Sequence, residues 1–91
     1  MTLTPQQREQ VRLSILRYCL RPTSTGLICA NLRAEGFRTI KREQVEDEIV
    51  YLGDKGFLKA EAKAISPEVA NYRSTAEGRD YLAQQGQEEN E

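Results

Sequence analysis

The sequence has no histidine and only two cysteines among its 91 residues. The side chain that enzymes use most often as a general base is therefore missing. Two thiols also cannot form a four-ligand zinc site unless carboxylates complete it, and no suitable spacing is evident. Neither a glycine-rich phosphate loop nor a Gly-x-Ser-x-Gly elbow is present. These absences argue against an enzyme and predict no metal and no other cofactor.

Long hydrophobic runs are also missing. No apolar stretch approaches the roughly 20 residues that a membrane-spanning helix needs, and no secretory leader opens the chain. We therefore expect a cytoplasmic protein that has no membrane partner and no evident small-molecule site. Cys19 and Cys29 fall at apolar helix positions, which predicts buried free thiols. A disulfide between them is the alternative, although a cytosolic location disfavours it.

The charge of the chain is nearly balanced but unevenly distributed. With 38% hydrophobic and 30% charged residues, the sequence is typical of one small globular domain. The net charge is −1 and the sequence pI is about 5.6. Residues 1–40 hold six arginines against two glutamates, whereas the rest of the chain is acidic. Any positive surface must therefore come mainly from the first 40 residues.

Two helices are predicted in the first part of the chain. Thr4 and Gln7 form a Thr-x-x-Gln capping box, and Pro22 ends the first helix because it excludes the α conformation at the residue before it. Ser24 and Thr25 offer caps for the second helix, which Gly36 ends. The segment 38–40 is predicted to be extended, as one short strand.

A third helix, about 42–55, precedes a predicted hairpin. Gly56 ends this helix, and strands follow over 57–65 and 69–74, joined by a turn at 66–68. Glu48 is expected on the flank of the third helix. Thr75 caps a short last helix. We expect a domain over residues 1–83 and a disordered acidic tail over 84–91.

Two segments carry a resemblance to a known superfamily. One is Val45-x-x-x-Ile49-x-x-Leu52-x-x-x-Gly56-Phe57-Leu58, and the other is Tyr72-Arg73-Ser74-Thr75-x-x-Gly78-x-x-Tyr81-Leu82. Both resemble winged helix-turn-helix regulators of the multiple-antibiotic-resistance and arsenic-repressor types, over residues 4–83. The resemblance implies an α+β fold with a three-helix core, a two-stranded wing hairpin and a short C-terminal helix. Ser74 replaces a usually apolar residue, which predicts a less buried strand.

The opening Arg12-Leu13-Ser14-Ile15-Leu16-Arg17 and the chain length also resemble a family of small phage and prophage proteins. That family implies no specific biochemical role. A transcriptional regulator of bacterial or phage origin is the function that the two resemblances imply together.

The resemblance implies that the third helix enters the major groove of duplex DNA and that the hairpin touches the backbone or the minor groove. The residues at the corresponding positions are Ser24, Thr25, Arg38, Lys41, Arg42, Glu43, Glu46, Asp47, Val50, Lys63, Ser66 and Glu68. The acids among them oppose binding, because affinity for DNA comes mainly from lysine and arginine at phosphates. One acid could accept from a cytosine amino group.

A protein-interaction or dimerisation module without DNA binding is the alternative. In the regulators that this chain resembles, the first and last helices form a dimer seam, which implies a homodimer interface at Arg8, Arg12, Tyr51 and Tyr81. A solvated helix face for the arginines, and packing of Tyr51 against the first or last helix, are equally open. The acidic surface of the third helix could simply face water.

Overall fold

The structure is a computed structural model that describes residues 2–62 and 70–85. Within this part of the chain, every helix is too short or too polar to cross a membrane. Four helices and three strands follow one another along the chain: α1 Pro5–Tyr18, β1 Thr23–Ser24, α2 Thr25–Glu35, α3 Arg42–Asp54, β2 Leu58–Ala62, β3 Ala70–Ser74 and α4 Ala76–Gln84. The three strands form an antiparallel sheet in the order β1-β3-β2. This is the winged helix-turn-helix arrangement, and the prediction of an α+β fold is confirmed.

Local signals start the helices where the sequence predicts. The Thr4 hydroxyl accepts from the backbone of Gln7 at 3.1 Å, and the Gln7 side chain accepts from the backbone of Thr4 at 3.0 Å. Ser24 caps α2 and Thr75 caps α4 in the same way. Each cap satisfies a backbone N–H that the first turn of a helix leaves without a partner.

The helices α2 and α3 end with the same Leu-x-x-x-Gly-Phe sequence and the same pattern of backbone hydrogen bonds. Gly36 and Gly56 have φ angles of 134° and 81°, which residues with a side chain rarely adopt. The Phe37 N–H donates to the carbonyl of Leu32 at 3.0 Å. The Phe57 N–H donates to the carbonyl of Leu52 at 2.9 Å. Each glycine thus reverses the chain at once, and after Gly56 the chain enters β2 directly.

The short strand lies elsewhere than the sequence predicts. Residues 38–40 form a turn, in which the Ile40 N–H donates to the carbonyl of Phe37 at 3.1 Å. The Ile40 carbonyl accepts from the Arg33 guanidinium at 3.0 Å, so it is not offered to a strand. Thr23 and Ser24 pair with β3 instead, opposite Tyr72 and Asn71. The strand therefore comes between α1 and α2.

The other four residues of β3 are half-buried or exposed, which fits the prediction of a less buried strand, but Ser74 itself is buried and for this residue the prediction is wrong. Only 2% of the residue is exposed. Its hydroxyl donates to the carbonyl of Leu16 at 2.8 Å, and its N–H donates to the carbonyl of Cys19 at 2.8 Å. The Leu16 carbonyl belongs to the last turn of α1 and the Cys19 carbonyl to the capping residue just after it, where helix carbonyls lack partners within the helix. A polar residue is buried here because it completes the end of α1.

The core lies between α1, α2, α3 and the sheet. Its fully buried large side chains are Val11, Ile15, Leu16, Ile28, Leu32, Ile40, Val45 and Leu52. Cys19 and Cys29 are buried free thiols, as predicted. Burial raises the pKa of the Cys19 thiol to about 12. The helix α4 extends to Gln84, one residue into the predicted tail, and residues 86–91 lie outside the described residues.

Candidate nucleic-acid interface

A groove of about 380 Å³ lies where the start of α2, the start of α3 and β3 meet. It is lined by Ser24, Thr25, Gly26, Arg42, Glu46, Ala70 and Tyr72. Four of the predicted DNA-contacting residues, Ser24, Thr25, Arg42 and Glu46, are therefore brought together. The first-turn N–H groups and the positive dipole end of α2 lie at this groove and favour an anion.

Other predicted contact residues are exposed around the start of α3. Arg38, Lys41 and Glu43 are exposed in the turn before α3 and in its first turn. The Gln44 side chain accepts from the Lys41 N–H at 2.9 Å, which orders this entry to the helix although Lys41 supplies no side-chain cap. The positions Lys63, Ser66 and Glu68 lie outside the described residues, so their predicted contacts stay predictions.

Asp47 lies on a different side of α3 from the groove. It lines a second depression, of about 370 Å³, together with Arg8 and Glu48. Neighbouring acids of α3 are thus divided between two surfaces, since successive residues of a helix point about 100° apart. The contact of Asp47 with DNA stays a prediction.

Glu48 is buried rather than on the flank of α3, and the expectation for it is corrected. Its side chain is 4% exposed and accepts from Arg12 at 2.6 Å and from Arg8 at 3.1 Å. Burial lowers the pKa of the Arg12 guanidinium, but the hydrogen bond and the charge of Glu48 outweigh burial and raise it. The two arginines lie four residues apart on α1, which lets both reach one carboxylate. The four-residue spacing of Arg8 and Arg12 was the signal in the sequence that could have indicated a shared carboxylate partner.

The four residues predicted at a dimer seam lie close together within one chain. The Arg12 guanidinium lies over the Tyr51 ring, 3.8 Å from its centre, which is the predicted alternative of packing against α1. The Tyr81 ring stacks on Phe57 at 4.9 Å, and its hydroxyl donates to Glu9. These contacts link α1, α3 and α4 within the chain, and the dimer interface stays a prediction.

The hydrogen bond to Glu9, together with burial, raises the pKa of Tyr81 to about 12. Arg12, Tyr51 and Tyr81 also line a small cleft of about 240 Å³. In the part of the chain that the structure describes, no group of three or more cysteine, aspartate or glutamate side chains is placed to hold a metal ion.

No protein-family model matches this sequence, and no significantly similar curated protein is found. Solved structures do match. The transcriptional regulator BldR from Sulfolobus solfataricus superposes with a TM-score of 0.72 at 15% identity, over 86% of this chain and 52% of that one. A mutant of ZitR from Lactococcus lactis superposes with a TM-score of 0.71 at 14% identity, over 96% of this chain and 53% of that one.

A second structure of Lactococcus lactis ZitR is described as a zinc-responsive MarR family member. It has a TM-score of 0.66 at 15% identity, over 96% of this chain and 54% of that one. This chain spans about half the length of the proteins that it matches. At such low identity the likeness shows a shared winged-helix fold, as the two sequence segments predicted.

Proposed function

We propose that this winged-helix domain binds duplex DNA and acts as a transcriptional regulator of bacterial or phage origin in the cytoplasm. The observation that carries the proposal is the groove between the starts of α2 and α3. There a helix N-terminus, Ser24, Thr25 and the Arg42 guanidinium face the same open space. Regulators share this fold, and in DNA-binding helix-turn-helix domains the second of the two helices enters the major groove.

The internal ion pairs of Glu48 weaken the electrostatic objection to DNA binding. Residues 41–55 hold three cations and five acids. One of these acids, Glu48, is buried against Arg8 and Arg12 and does not face a ligand. A second, Glu46, is paired with Arg42 at 3.1 Å. The burial of Glu48 therefore reduces the excess of acid at the outer surface of α3 from two charges to one, whereas the Glu46–Arg42 pair leaves that excess unchanged.

The cations of this region concentrate at one end of α3. Arg38, Lys41 and Arg42 are all exposed at or just before its first turn, where two acids oppose them, Glu43 and the Glu46 that is paired with Arg42. This end of the helix also carries the positive pole of the helix dipole. A DNA backbone close to the start of α3 would meet a locally positive surface, although the whole chain is slightly acidic.

A protein-interaction module is the second candidate function. Val50 is 61% exposed and Leu27 is 54% exposed, which leaves apolar side chains of α2 and α3 in water.

A homodimer belongs to either proposal, with Arg8, Arg12, Tyr51 and Tyr81 at its interface. Because Arg12 is held by Glu48, Tyr51→Ala tests this interface with less disturbance of the fold than Arg12→Glu. An unchanged mass by light scattering would remove Tyr51 from the interface.

Fluorescence anisotropy with a labelled random duplex tests DNA binding directly. At about 50 mM salt we expect binding that weakens steeply as salt rises, because bound phosphates release counterions. Lys41→Gln should weaken binding and reduce the salt slope by about one. Lys55→Gln is the matched control, since it lies about 21 Å away along the axis of α3.

Two outcomes separate the candidate functions. Absence of binding with excess duplex at low salt would reject the DNA proposal and leave the interaction module. Equal losses in Lys41→Gln and Lys55→Gln would show that any binding is unrelated to the start of α3.

A further inference from the structure

Arg42, Glu46 and Val50 form a row along the outer surface of α3, and we call these three residues the α3 row. They are four residues apart, so they follow one another along one side of the helix. The side chains of Arg42 and Glu46 are 63% and 54% exposed, and Val50 is 61% exposed. The row begins at the groove beside Ser24 and Thr25.

Glu46 holds the Arg42 guanidinium by one edge. The Nε–H of Arg42 donates to the Glu46 carboxylate at 3.1 Å. An arginine carries five N–H donors, and this bond uses the one on Nε. The terminal Nη groups carry the other four, in a planar fork whose direction the carboxylate restricts.

Guanine is the base that such a fork fits. In the major groove, guanine presents two neighbouring acceptors, O6 and N7, which match two parallel N–H donors. Adenine presents one acceptor and one donor at the same edge, and cytosine presents a donor. An arginine fixed in direction by a carboxylate loses less side-chain entropy when it binds, which sharpens the choice of base.

Val50 needs a different partner because it is an exposed apolar residue among charges. The apolar group that the major groove offers is the C5 methyl of thymine. Eight residues of helix separate Val50 from Arg42, which is about 12 Å along the axis. Base pairs are stacked about 3.4 Å apart along the DNA axis, and a helix in the major groove is inclined to that axis, so this distance spans at most about four base pairs.

We propose that the α3 row reads sequence: Arg42 recognises a guanine, and Val50 contacts a thymine methyl within about four base pairs of it. Glu46 is a positioning residue for Arg42. This inference rests on the proposed DNA-binding function and adds the bases that are read and the residues that read them.

Selection from a randomised duplex pool, followed by anisotropy on the selected site, tests the inference. We expect a guanine whose replacement by another base costs the wild type about 5- to 150-fold in affinity. Substituting 7-deazaguanine, which removes only the N7 acceptor, should also weaken binding. Arg42→Ala should bind the original and both altered duplexes equally, because alanine has no group that distinguishes the bases. Circular dichroism would confirm that this exposed substitution leaves the fold intact.

Glu46→Gln separates positioning from charge. Removing one negative charge near the phosphates should raise affinity for random duplex. The same substitution should lower the preference for guanine, because the guanidinium is held less firmly. A fall in both, or no change in preference, would contradict the role given to Glu46.

Uracil in place of thymine tests Val50, since it deletes only the methyl group. We expect the wild type to lose about fourfold in affinity, the value of one buried methyl. Val50→Ser should be insensitive to the change. Lys55→Gln is again the control, and it should keep the sequence preference of the wild type.

The outcomes distinguish this inference from the proposed function. Wild-type protein that binds no duplex at low salt would overturn both. Binding without sequence preference, or a guanine preference that survives in Arg42→Ala, would overturn the reading by the α3 row and leave DNA binding intact. A selected thymine that uracil replaces without loss would overturn the part given to Val50.

Discussion

Glu48 of α3 accepts a hydrogen bond from Arg12 of α1 at 2.6 Å, and this ion pair crosses the interface between the two helices. The carboxylate is 4% exposed and the arginine 17% exposed, so water screens the pair poorly. The same guanidinium lies over Tyr51, one turn further along α3. The buried Glu48 carboxylate thus holds α3, the helix proposed to read DNA, in position against α1.

Glu48→Gln should therefore destabilise the protein. The substitution keeps the shape of the side chain but leaves Arg12, in a poorly solvated place, with only the more distant Glu9 carboxylate at 3.9 Å as an opposite charge. We expect a loss of about 1–3 kcal/mol in the free energy of unfolding, measured by urea denaturation. Glu46→Gln is the matched control, because its pair with Arg42 is exposed and is worth less than about 0.5 kcal/mol. Similar losses in both would contradict a special role for Glu48.

Gly78 lies against the backbone of Phe57, at the point where α4 meets the start of the wing. A Cβ at this position would lie 2.3 Å from the Phe57 carbonyl oxygen. That oxygen also accepts from the Thr75 N–H at 3.0 Å, so it cannot move freely. We expect Gly78→Ala to lower the melting temperature, with a cost of about 3 kcal/mol.

Gly53→Ala is the control for this clash. Gly53 lies inside α3, and among the described residues no atom comes within 4 Å of the Cβ that alanine would add. Helix propensity alone should then stabilise the variant by about 0.5–1 kcal/mol. Opposite signs in the two variants support the close contact, and stabilisation in both would refute it.

Ser74→Ala tests whether the end of α1 depends on a residue of the sheet. The substitution leaves the Leu16 carbonyl buried without the hydroxyl that donates to it. We expect a loss of about 1–3 kcal/mol in urea denaturation. Thr39→Ala also removes one hydroxyl, but at an exposed position, and should stay within about 0.5 kcal/mol of the wild type. A neutral Ser74→Ala would mean that water replaces the hydroxyl.

The stability of the protein at alkaline pH should depend on the ionisation of two tyrosines, Tyr18 and Tyr81. Burial, followed by the hydrogen bond to Glu35, raises the pKa of Tyr18 to about 12. The hydrogen bond to Glu9, followed by burial, raises the pKa of Tyr81 to about 12. An unfolded tyrosine ionises near pH 10. Their contribution to stability is therefore complete below about pH 10 and is lost as pH rises to about 12.

The measurement is the free energy of unfolding as a function of pH. The Tyr18→Phe and Tyr81→Phe double variant should show a shallower decline between pH 10 and pH 12 than the wild type. Tyrosinate absorbance gives an independent check on the folded protein. Complete ionisation of all tyrosines by about pH 11 would be incompatible with the two raised pKa values.

Sequence reasoning succeeded where a structure depends on residues close together in the chain. The Thr4–Gln7 box, the cap at Thr75 and the chain reversals at Gly36 and Gly56 each involve hydrogen bonds that span no more than five positions. The order of helices and the hairpin follow from these signals together with hydrophobic spacing. The groove that gathers Ser24, Thr25, Arg42 and Glu46 follows from that order of elements.

The sequence by itself thus determined where α1, α2 and α4 begin and where α2 and α3 end, because caps and glycine turns are local. Only the tertiary structure decided that Glu48 and Ser74 are buried and that the short strand β1 forms at Thr23–Ser24. Glu48 lies 36 residues from its partner Arg12 and 40 residues from its partner Arg8. Ser74 lies 58 residues from its partner Leu16, and β1 pairs with β3 at the other end of the chain. A polar side chain is buried where a distant group satisfies it, and that pairing exists only after the chain has folded.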